Sequence, residues 1–409
     1  GLWIEDLPAT RIEELRLRTL ARAPVWKTAR YRPWVKSMLK ESMPSCRKVL
    51  AYLAIPVSRM ERHPLGPRLV HETLLEFPSV AARDLIFSGP GYIPYDHGAP
   101  WEGYGENPVV HERLVRTDTH EGLPLLFAWS LTTVDESLRY HCRQELTTWG
   151  KENPGEFLKL LELTYPTDDP QMKEELVIVA AGVACLFAPE EGAPLAALAR
   201  WALTEIFDDE KVQNIVIRHM GRIIIERAFY HGLLEEDDVK RARPPYPTAD
   251  VLLELDPEAA SATGETFGPI FMDLGWYVLK AGYEGFLGDY GGWFPQSEDS
   301  PSPDAKELLR RHATATGVPD LSPHQFALGA SIAYLKSLGW NEEGFYGDPR
   351  GGEEGERLGA DIAISRVHPR SRYYARSSVA TFAEKYVWCS AHEIRGYLAD
   401  RLPHRDRED

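Results

Sequence analysis

The sequence predicts a mainly α-helical fold: an irregular helix-turn-helix (TPR/HEAT-like) repeat solenoid with a C-terminal helical subdomain that contains long loops. Three observations support this prediction. Apolar residues recur at helical spacing through most of the 409-residue chain. Short breaks that contain Pro, Gly, Asn or Asp separate the helical segments. Between residues 108 and 242 these segments pair into units of roughly 30 to 40 residues, the size of the repeats in an α-solenoid.

The first of three predicted segments, residues 1–107, opens with helical patterns over 10–59 and 63–84. It ends in SGPGYIPYDHGAPWEGYGEN at 88–107, a stretch that is rich in Gly, Pro and aromatic residues. This composition predicts a packed loop rather than a flexible linker.

The second segment, residues 108–245, has the strongest helical signal. It contains no TPR or ankyrin consensus, so the predicted repeats are irregular and nearer to HEAT repeats. Their paired helices are expected over 124–150, 154–187 and 193–231. The predicted helix starts lie near Pro108, Leu123, Asp135, Pro154, Asp169, Ala193 and Gln213.

The third segment, residues 246–409, is the predicted C-terminal subdomain with irregular loops. Its last helix is expected in FAEKYVWCSAHEIRGYLADRLP at 382–403, which has the spacing of an amphipathic helix. The apolar face is predicted to carry Phe382, Tyr386, Cys389, Ile394, Tyr397 and Leu398. The other faces are predicted to carry Glu384, Lys385, Glu393, Arg395, Asp400 and Arg401.

Composition excludes several classes of protein. A formal charge of -16 argues against direct nucleic-acid binding, because neutralising phosphates requires a basic face. The four cysteines lie far apart, which favours a reducing cytoplasm and excludes a disulfide scaffold. The longest apolar stretch, 176–188, is too short to cross a bilayer, so no membrane partner is expected. A start at Gly1 rather than Met is typical either of a chain prepared for expression or of a piece cut from a longer protein.

The sequence contains no established catalytic motif, and we expect this chain to have no enzymatic activity and no cofactor of its own. It lacks the GxxxxGK[ST] phosphate-binding loop and the GxSxG nucleophile elbow. None of its four His-Glu dipeptides continues to the second histidine of a zinc protease. The alternative from the enzyme class is a metal-assisted hydrolase whose ligands, including His71, His111 and His392, converge from distant positions.

Partner binding is expected from arginines and aromatic residues in the irregular segments. Arg and Tyr are enriched in binding hot spots, and loops between helices often carry function. The alternative is that the arginines pair with the surplus carboxylates of this chain and that the aromatic residues pack internally. The candidates are Arg366, His368, Arg370, Arg372, Tyr373, Tyr374 and Arg376 in one segment, Trp293 in a second, and Tyr92, Trp101 and Tyr104 in a third.

Five stretches carry a resemblance to a known family. They are HPLGPRLVHETLLEFPSVAARD, YHCRQELTTWGKENPGEFLKLLELTYPTDDPQMKEELVIVAAGVACL, IIIERAFYHGLLEEDDVKRARPPYP, LKSLGWNEEGFYGD and EKYVWCSAHEIRGYLADRL. In this order they resemble the C-terminal part of the antiviral STAND NTPases, the bacterial Avs defence proteins, over most of residues 60–402. The chain departs from the family pattern at 382–384 and in the loops at 282–303 and 341–358, which leaves the target open.

The resemblance implies a target-recognition (sensor) domain in the cytoplasm. In that family an effector and a P-loop NTPase precede a helical-repeat region that binds a phage protein, either the terminase large subunit or the portal. Binding is followed by ATP-dependent oligomerisation, so the resemblance implies ATP and Mg for the missing NTPase part and a homo-oligomer of the full-length receptor. The alternative is a constitutive helical-repeat scaffold for a host complex.

Overall fold

A computed structural model describes residues 9–90, 107–208, 212–246, 250–262, 270–288, 301–346, 359–367 and 379–404. Within these ranges the chain is mainly helical and forms no strand beyond one isolated antiparallel bridge between Asp135 and Val379. The prediction of a mainly α-helical fold is therefore confirmed, whereas the arrangement of the helices as a repeat solenoid stays a prediction. No helix in the described part of the chain is both long and apolar enough to span a membrane.

Connections of one to five residues separate the helices between residues 136 and 202. Two π-helical turns, Leu50–Ala54 and Leu203–Phe207, and a longer π-helical segment, Ile270–Leu279, extend neighbouring helices. In chain order the α-helices are α1 (Ala9–Arg22), α2 (Val25–Thr28), α3 (Arg32–Glu41), α4 (Met43–Val49), α5 (Pro67–Leu74), α6 (Val80–Phe87), α7 (Leu123–Ser130), α8 (Glu136–Glu152), α9 (Pro154–Thr164), α10 (Pro170–Leu186), α11 (Gly192–Ala202), α12 (Ile215–Tyr230), α13 (Glu236–Arg241), α14 (Pro257–Ala260), α15 (Lys280–Tyr283), α16 (Pro303–Thr316), α17 (Pro323–Ser337), α18 (Glu342–Tyr346), α19 (Ala360–Val367) and α20 (Phe382–Ala399).

The chain divides into two compact units. Unit 1 comprises Gly1–Val183 and Tyr346–Ala380, and unit 2 comprises Ala184–Phe345 and Thr381–Asp409. The three-segment division expected from the sequence stays a prediction.

Local sequence explains where the helices begin. Proline occupies the first turn of several of them, as Pro154 does in α9, because its missing N–H would have no partner there. Asp135 caps α8 by accepting hydrogen bonds from the backbone of Ser137 and Leu138. Six of the seven predicted helix starts between 108 and 213 lie within two residues of an observed one. The exception is Pro108, which begins a single 3₁₀ turn, Pro108–His111, rather than an α-helix.

The core of unit 1 surrounds α7, whose sequence LPLLFAWS is apolar on all sides and entirely buried. Trp129 on α7 donates a hydrogen bond from Nε1 to Nδ1 of His71 on α5, at 3.1 Å. Because Nδ1 accepts this bond, the neutral His71 ring carries its proton on Nε2. Burial, aided by the nearby Arg68, lowers the pKa of His71 to about 4.

A buried arginine also contacts Trp129. The side chain of Arg83 on α6 is only 2% exposed, and its guanidinium lies 5.2 Å from the Trp129 ring centre. Its Nη1 bonds Asp168 at 2.8 Å, and its Nη2 lies 3.4 Å from the fully buried Asp169, whose carboxylate also caps the first turn of α10. Burial opposes the charge, but the two aspartates outweigh it and raise the pKa of Arg83. One ion-pair network therefore joins α6, α7 and the start of α10.

In unit 2, α20 packs against α17 and the Ile270–Leu279 segment, and polar pairs cross its apolar core. Ser390 and Ser331 share a hydrogen bond of 2.7 Å, while His312 and Tyr397 share one of 3.0 Å. The two Asp400 oxygens accept from Nη1 of Arg218 at 2.7 and 2.8 Å, and both side chains are buried.

The predicted apolar face of α20 is confirmed, since all six of its residues are buried. The prediction for Lys385 is wrong, because this side chain is buried as well. Its ammonium lies 4.4 Å from the ring centre of Tyr386 in a cation–π contact, which compensates part of the cost of burial.

Replacing Arg83 by Met tests the buried network. The substitution leaves the Asp169 carboxylate buried without its cationic partner, so we expect the free energy of unfolding to fall by about 3 to 5 kcal/mol. Urea unfolding at pH 7 provides the measurement. Arg16→Met, at an exposed position in the same unit, is the control and should change stability by less than about 0.5 kcal/mol. Similar losses in the two variants would contradict the importance of the network.

Two buried histidines predict a loss of stability in mild acid. Burial first, and then nearby arginines, lower the pKa of His71 and of His312 to about 4, below the 6.5 of an unperturbed histidine. Between pH 6.5 and 4 the unfolded chain therefore binds more protons, and the free energy of unfolding falls as the pH drops, by up to about 3 kcal/mol per histidine.

The matched variant is the double substitution His71→Asn and His312→Gln, because each new amide reaches the position of the bonded ring nitrogen. Thermal unfolding followed from pH 7 to pH 4.5 should show a much shallower pH dependence in this variant. An unchanged pH dependence of thermal unfolding would contradict the assignment of this loss of stability to the two histidines.

Candidate functional site

Two loops of unit 1 line a cleft of about 430 Å³. Loop A, residues 55–66, connects the Leu50–Ala54 turn to α5, and loop B, residues 112–122, connects the Pro108–His111 turn to α7. Glu156 on α9 also lines the cleft. Because α5 and α7 pack on each other in the core, the ends of both loops are anchored.

An ion pair joins the two loops. Nε of Arg59 in loop A donates to Oδ1 of Asp118 in loop B at 2.8 Å, and Nη2 of Arg59 donates to the backbone carbonyl of Arg113 at 2.9 Å. The Asp118 side chain is only 1% exposed. Its Oδ2 accepts the backbone N–H of Val115, and its carbonyl accepts the indole N–H of Trp149. These bonds fix loop B against both loop A and α8.

A close backbone approach brings the C-terminal end of loop B against the first half of loop A. A Cβ atom at Gly122 would lie 2.6 Å from the carbonyl oxygen of Ser58 and 3.2 Å from that of Thr119. Both contacts are with backbone, which cannot rotate away as a side chain can. Only glycine therefore allows loop B to pass this close to loop A.

His120 of loop B is oriented by Glu156. Its Nδ1 lies 2.7 Å from Oε2 of the carboxylate, which also accepts the His120 backbone N–H at 3.0 Å. Lys159 donates to the other carboxylate oxygen at 2.8 Å. Burial opposes ionisation of Glu156, but the bonds from Lys159 and His120 outweigh it and lower its pKa to about 2. On the same cleft, Arg68 lies 3.3 Å from Glu121.

Two buried polar groups on the cleft have no hydrogen-bond partner in the described part of the chain. They are Nε2 of His63 and Oγ of Ser58, and the residues are 6% and 7% exposed. Nδ1 of His63 accepts the backbone N–H of Leu65 at 3.2 Å, so the proton of the neutral ring lies on Nε2. Burial lowers the pKa of His63, which favours this neutral form.

Loops A and B, which form the rim of the cleft, expose apolar and cationic side chains on its lining and just before it in the sequence. Met60 of loop A and Val115 of loop B are 47% and 44% exposed. Arg62 and Arg116 are exposed too, and neither forms an ion pair or hydrogen bond within the described ranges. Arg62 has φ of +50°, a left-handed conformation that costs a non-glycine residue energy.

The partner-binding residues predicted from the sequence lie elsewhere, and they stay predictions. Arg366 belongs to α19, but its side chain is outside the described part of the chain. The positions outside the described residues are Tyr92, Trp101, Tyr104, Trp293, His368, Arg370, Arg372, Tyr373, Tyr374 and Arg376.

The sequence alone did not predict the cleft. Two signals were present: His63 beside Pro64 in the stretch RHPLG, and the closely spaced polar residues of DTHEG at 118–122. Among the histidines of the hydrolase alternative, His71 is bonded to Trp129 in the core and His392 contacts the ring of Trp388. No group of three or more potential metal ligands occurs among the described residues.

Comparison with protein-family models, with curated proteins and with solved structures finds no match for this chain.

Substituting Gly122 by Ala tests the contact between the loops. The added methyl group meets two backbone carbonyls, so loop A must shift, and we expect a loss of stability of about 1 to 3 kcal/mol. Hydrogen exchange in loop B should accelerate in parallel.

The matched control is Gly155→Ala in the first turn of α9, where an added methyl group meets nothing within 4 Å. This change should leave stability unchanged or raise it by up to about 1 kcal/mol, because alanine favours the helix. Equal unfolding midpoints for the two variants would show that the loops do not depend on the close approach.

Proposed function

We propose that this chain is the target-recognition part of an antiviral STAND NTPase and that it binds a phage protein, either the terminase large subunit or the portal. The five stretches that resemble the Avs proteins support this proposal, and the mainly helical fold is compatible with it. In this proposal the chain acts in the cytoplasm, has no catalytic role and contacts no nucleic acid directly. ATP, Mg and homo-oligomerisation belong to the full-length receptor.

The rim of the cleft is the observation that favours protein binding most. Met60 and Val115 expose apolar surface beside Arg62 and Arg116, two arginines without a partner in the described ranges. Met and Arg are enriched at protein interfaces, where apolar contact is combined with directed hydrogen bonds. The Arg59–Asp118 pair already joins the loops that carry these residues, so binding would lose less conformational entropy.

The rim is too small to form a whole interface. A specific protein complex buries more than about 1,000 Å² in total, whereas two loop tips offer a fraction of this area. We therefore propose that the residues predicted from the sequence, with Arg370 and Arg372 among them, extend the contact. The constitutive scaffold is the competing proposal, and the same surface would serve it.

A capture experiment tests the proposal, with the purified chain as bait and separately expressed terminase large subunits and portals as prey. We expect one of them to bind. The substitutions Arg62→Glu with Arg116→Glu, and separately Arg370→Glu with Arg372→Glu, should each weaken binding at least about tenfold, equivalent to about 1.4 kcal/mol.

The control is Arg16→Glu with Arg22→Glu, which makes the same change in charge at exposed positions of α1. It should bind as the unmodified chain does. Failure of the folded chain to capture any terminase or portal would contradict the sensor proposal. Capture of one stoichiometric host protein from uninfected cells would favour the scaffold instead.

A further inference from the structure

Some hydrogen-bonding groups of the cleft have partners within the chain, and others do not. Three carboxylates on its lining have cationic or histidine partners within the chain: Asp118 with Arg59, Glu121 with Arg68, and Glu156 with His120 and Lys159. The buried groups on this lining that have no partner in the described part of the chain are the Nε2–H of His63 and the Oγ–H of Ser58. The cleft therefore has hydrogen-bond donors to offer, and its ligand should supply an acceptor.

The unpartnered state of these two groups costs stability. A buried polar group that lacks a hydrogen bond forfeits the hydration it had in the unfolded chain and gains nothing in exchange. Their position on the lining of a cleft, rather than within the packed core, places them where a ligand could supply the missing bond. Both groups come from loop A and lie five residues apart in the sequence.

The charges of the cleft indicate an uncharged acceptor. Its lining contains three arginines, Arg59, Arg62 and Arg68, against four carboxylates, Glu61, Asp118, Glu121 and Glu156. Even with His120 counted as a cation beside Glu156, this balance offers no surplus positive charge to a carboxylate or phosphate ligand. The two available donors are themselves neutral, so a carbonyl oxygen matches them without leaving a buried charge uncompensated.

We propose that this cleft binds an uncharged, peptide-like group whose carbonyl oxygens accept hydrogen bonds from Nε2 of His63 and Oγ of Ser58. Both atoms are buried, so loop A must open slightly as the carbonyl enters. Arg62, which lies between the two donors, has a strained φ of +50°, and opening allows this backbone to relax. The cleft can bind such a group whether or not the protein target is a phage protein.

Titration of the intact chain with N-acetylglycine N-methylamide tests this assignment. With ¹⁵N-labelled histidine, the nitrogen signals of the His63 ring report a hydrogen bond at Nε2 directly. We expect a saturable shift of the Nε2 signal with this uncharged probe, and at least a tenfold weaker response to acetate and to inorganic phosphate at the same concentrations.

Two variants test whether the two donors bind the probe or stabilise the fold. Ser58→Ala removes a hydroxyl that has no partner in the described chain, so the thermal unfolding midpoint should stay the same or rise while probe affinity falls about threefold to tenfold. His63→Asn keeps an acceptor for the Leu65 N–H and deletes Nε2, and it should abolish binding of the probe. Arg16→Gln, at an exposed position of α1 outside the cleft, is the control and should leave affinity unchanged.

Several results would overturn the inference. They are an Nε2 signal that does not move with the amide probe, tighter binding of acetate or phosphate than of the amide, and full affinity in Ser58→Ala. A large drop in the unfolding midpoint of Ser58→Ala together with His63→Asn would also overturn it, because it would show that both groups serve the fold.

Discussion

The burial of one cation, Arg83, constrains much of unit 1. An arginine can lie in a protein interior only where carboxylates and aromatic faces replace its hydration, and here Asp168, Asp169 and Trp129 do so. Asp169 also begins α10, and Trp129 also binds His71 on α5. The positions of four helices, α5, α6, α7 and α10, thus depend on satisfying a single guanidinium.

The packing of these helices also positions the cleft, because both of its loops lead directly into them. Loop A ends where α5 begins at Pro67, and loop B ends where α7 begins at Leu123, so the packing of these helices sets the distance between the loops. The loops then lie close enough for Arg59 to pair with Asp118, and this closeness requires the glycine at 122. Packing in the core therefore positions the candidate binding surface, although the residues of that surface lie on irregular segments.

The cleft combines two features that are seldom found in a surface chosen only for stability. Its rim exposes Met60, Val115 and two arginines, and its lining contains buried donors without a described partner. Unit 2 shows the contrasting case: the polar groups of Ser331, Ser390, His312 and Tyr397 are paired with one another inside the core. Ser58 and His63 differ from these pairs because they line a cleft where a ligand can reach their unpaired groups, which is why these two point to a ligand.

The sequence alone determined the helical class, most helix starts and the apolar face of α20, because these follow from local rules: the 3.6-residue period, proline at the first turn and side-chain caps. It did not determine that Lys385 is buried against Tyr386, or that Arg59 meets Asp118 and Gly122 meets Ser58. Two of these contacts join residues that are far apart in the sequence, so local spacing cannot predict them. The burial of Lys385 depends on which aromatic ring is close enough to stabilise its charge. The tertiary structure decided them, since packing around Trp129 and Arg83 brings loops A and B together across more than fifty intervening residues.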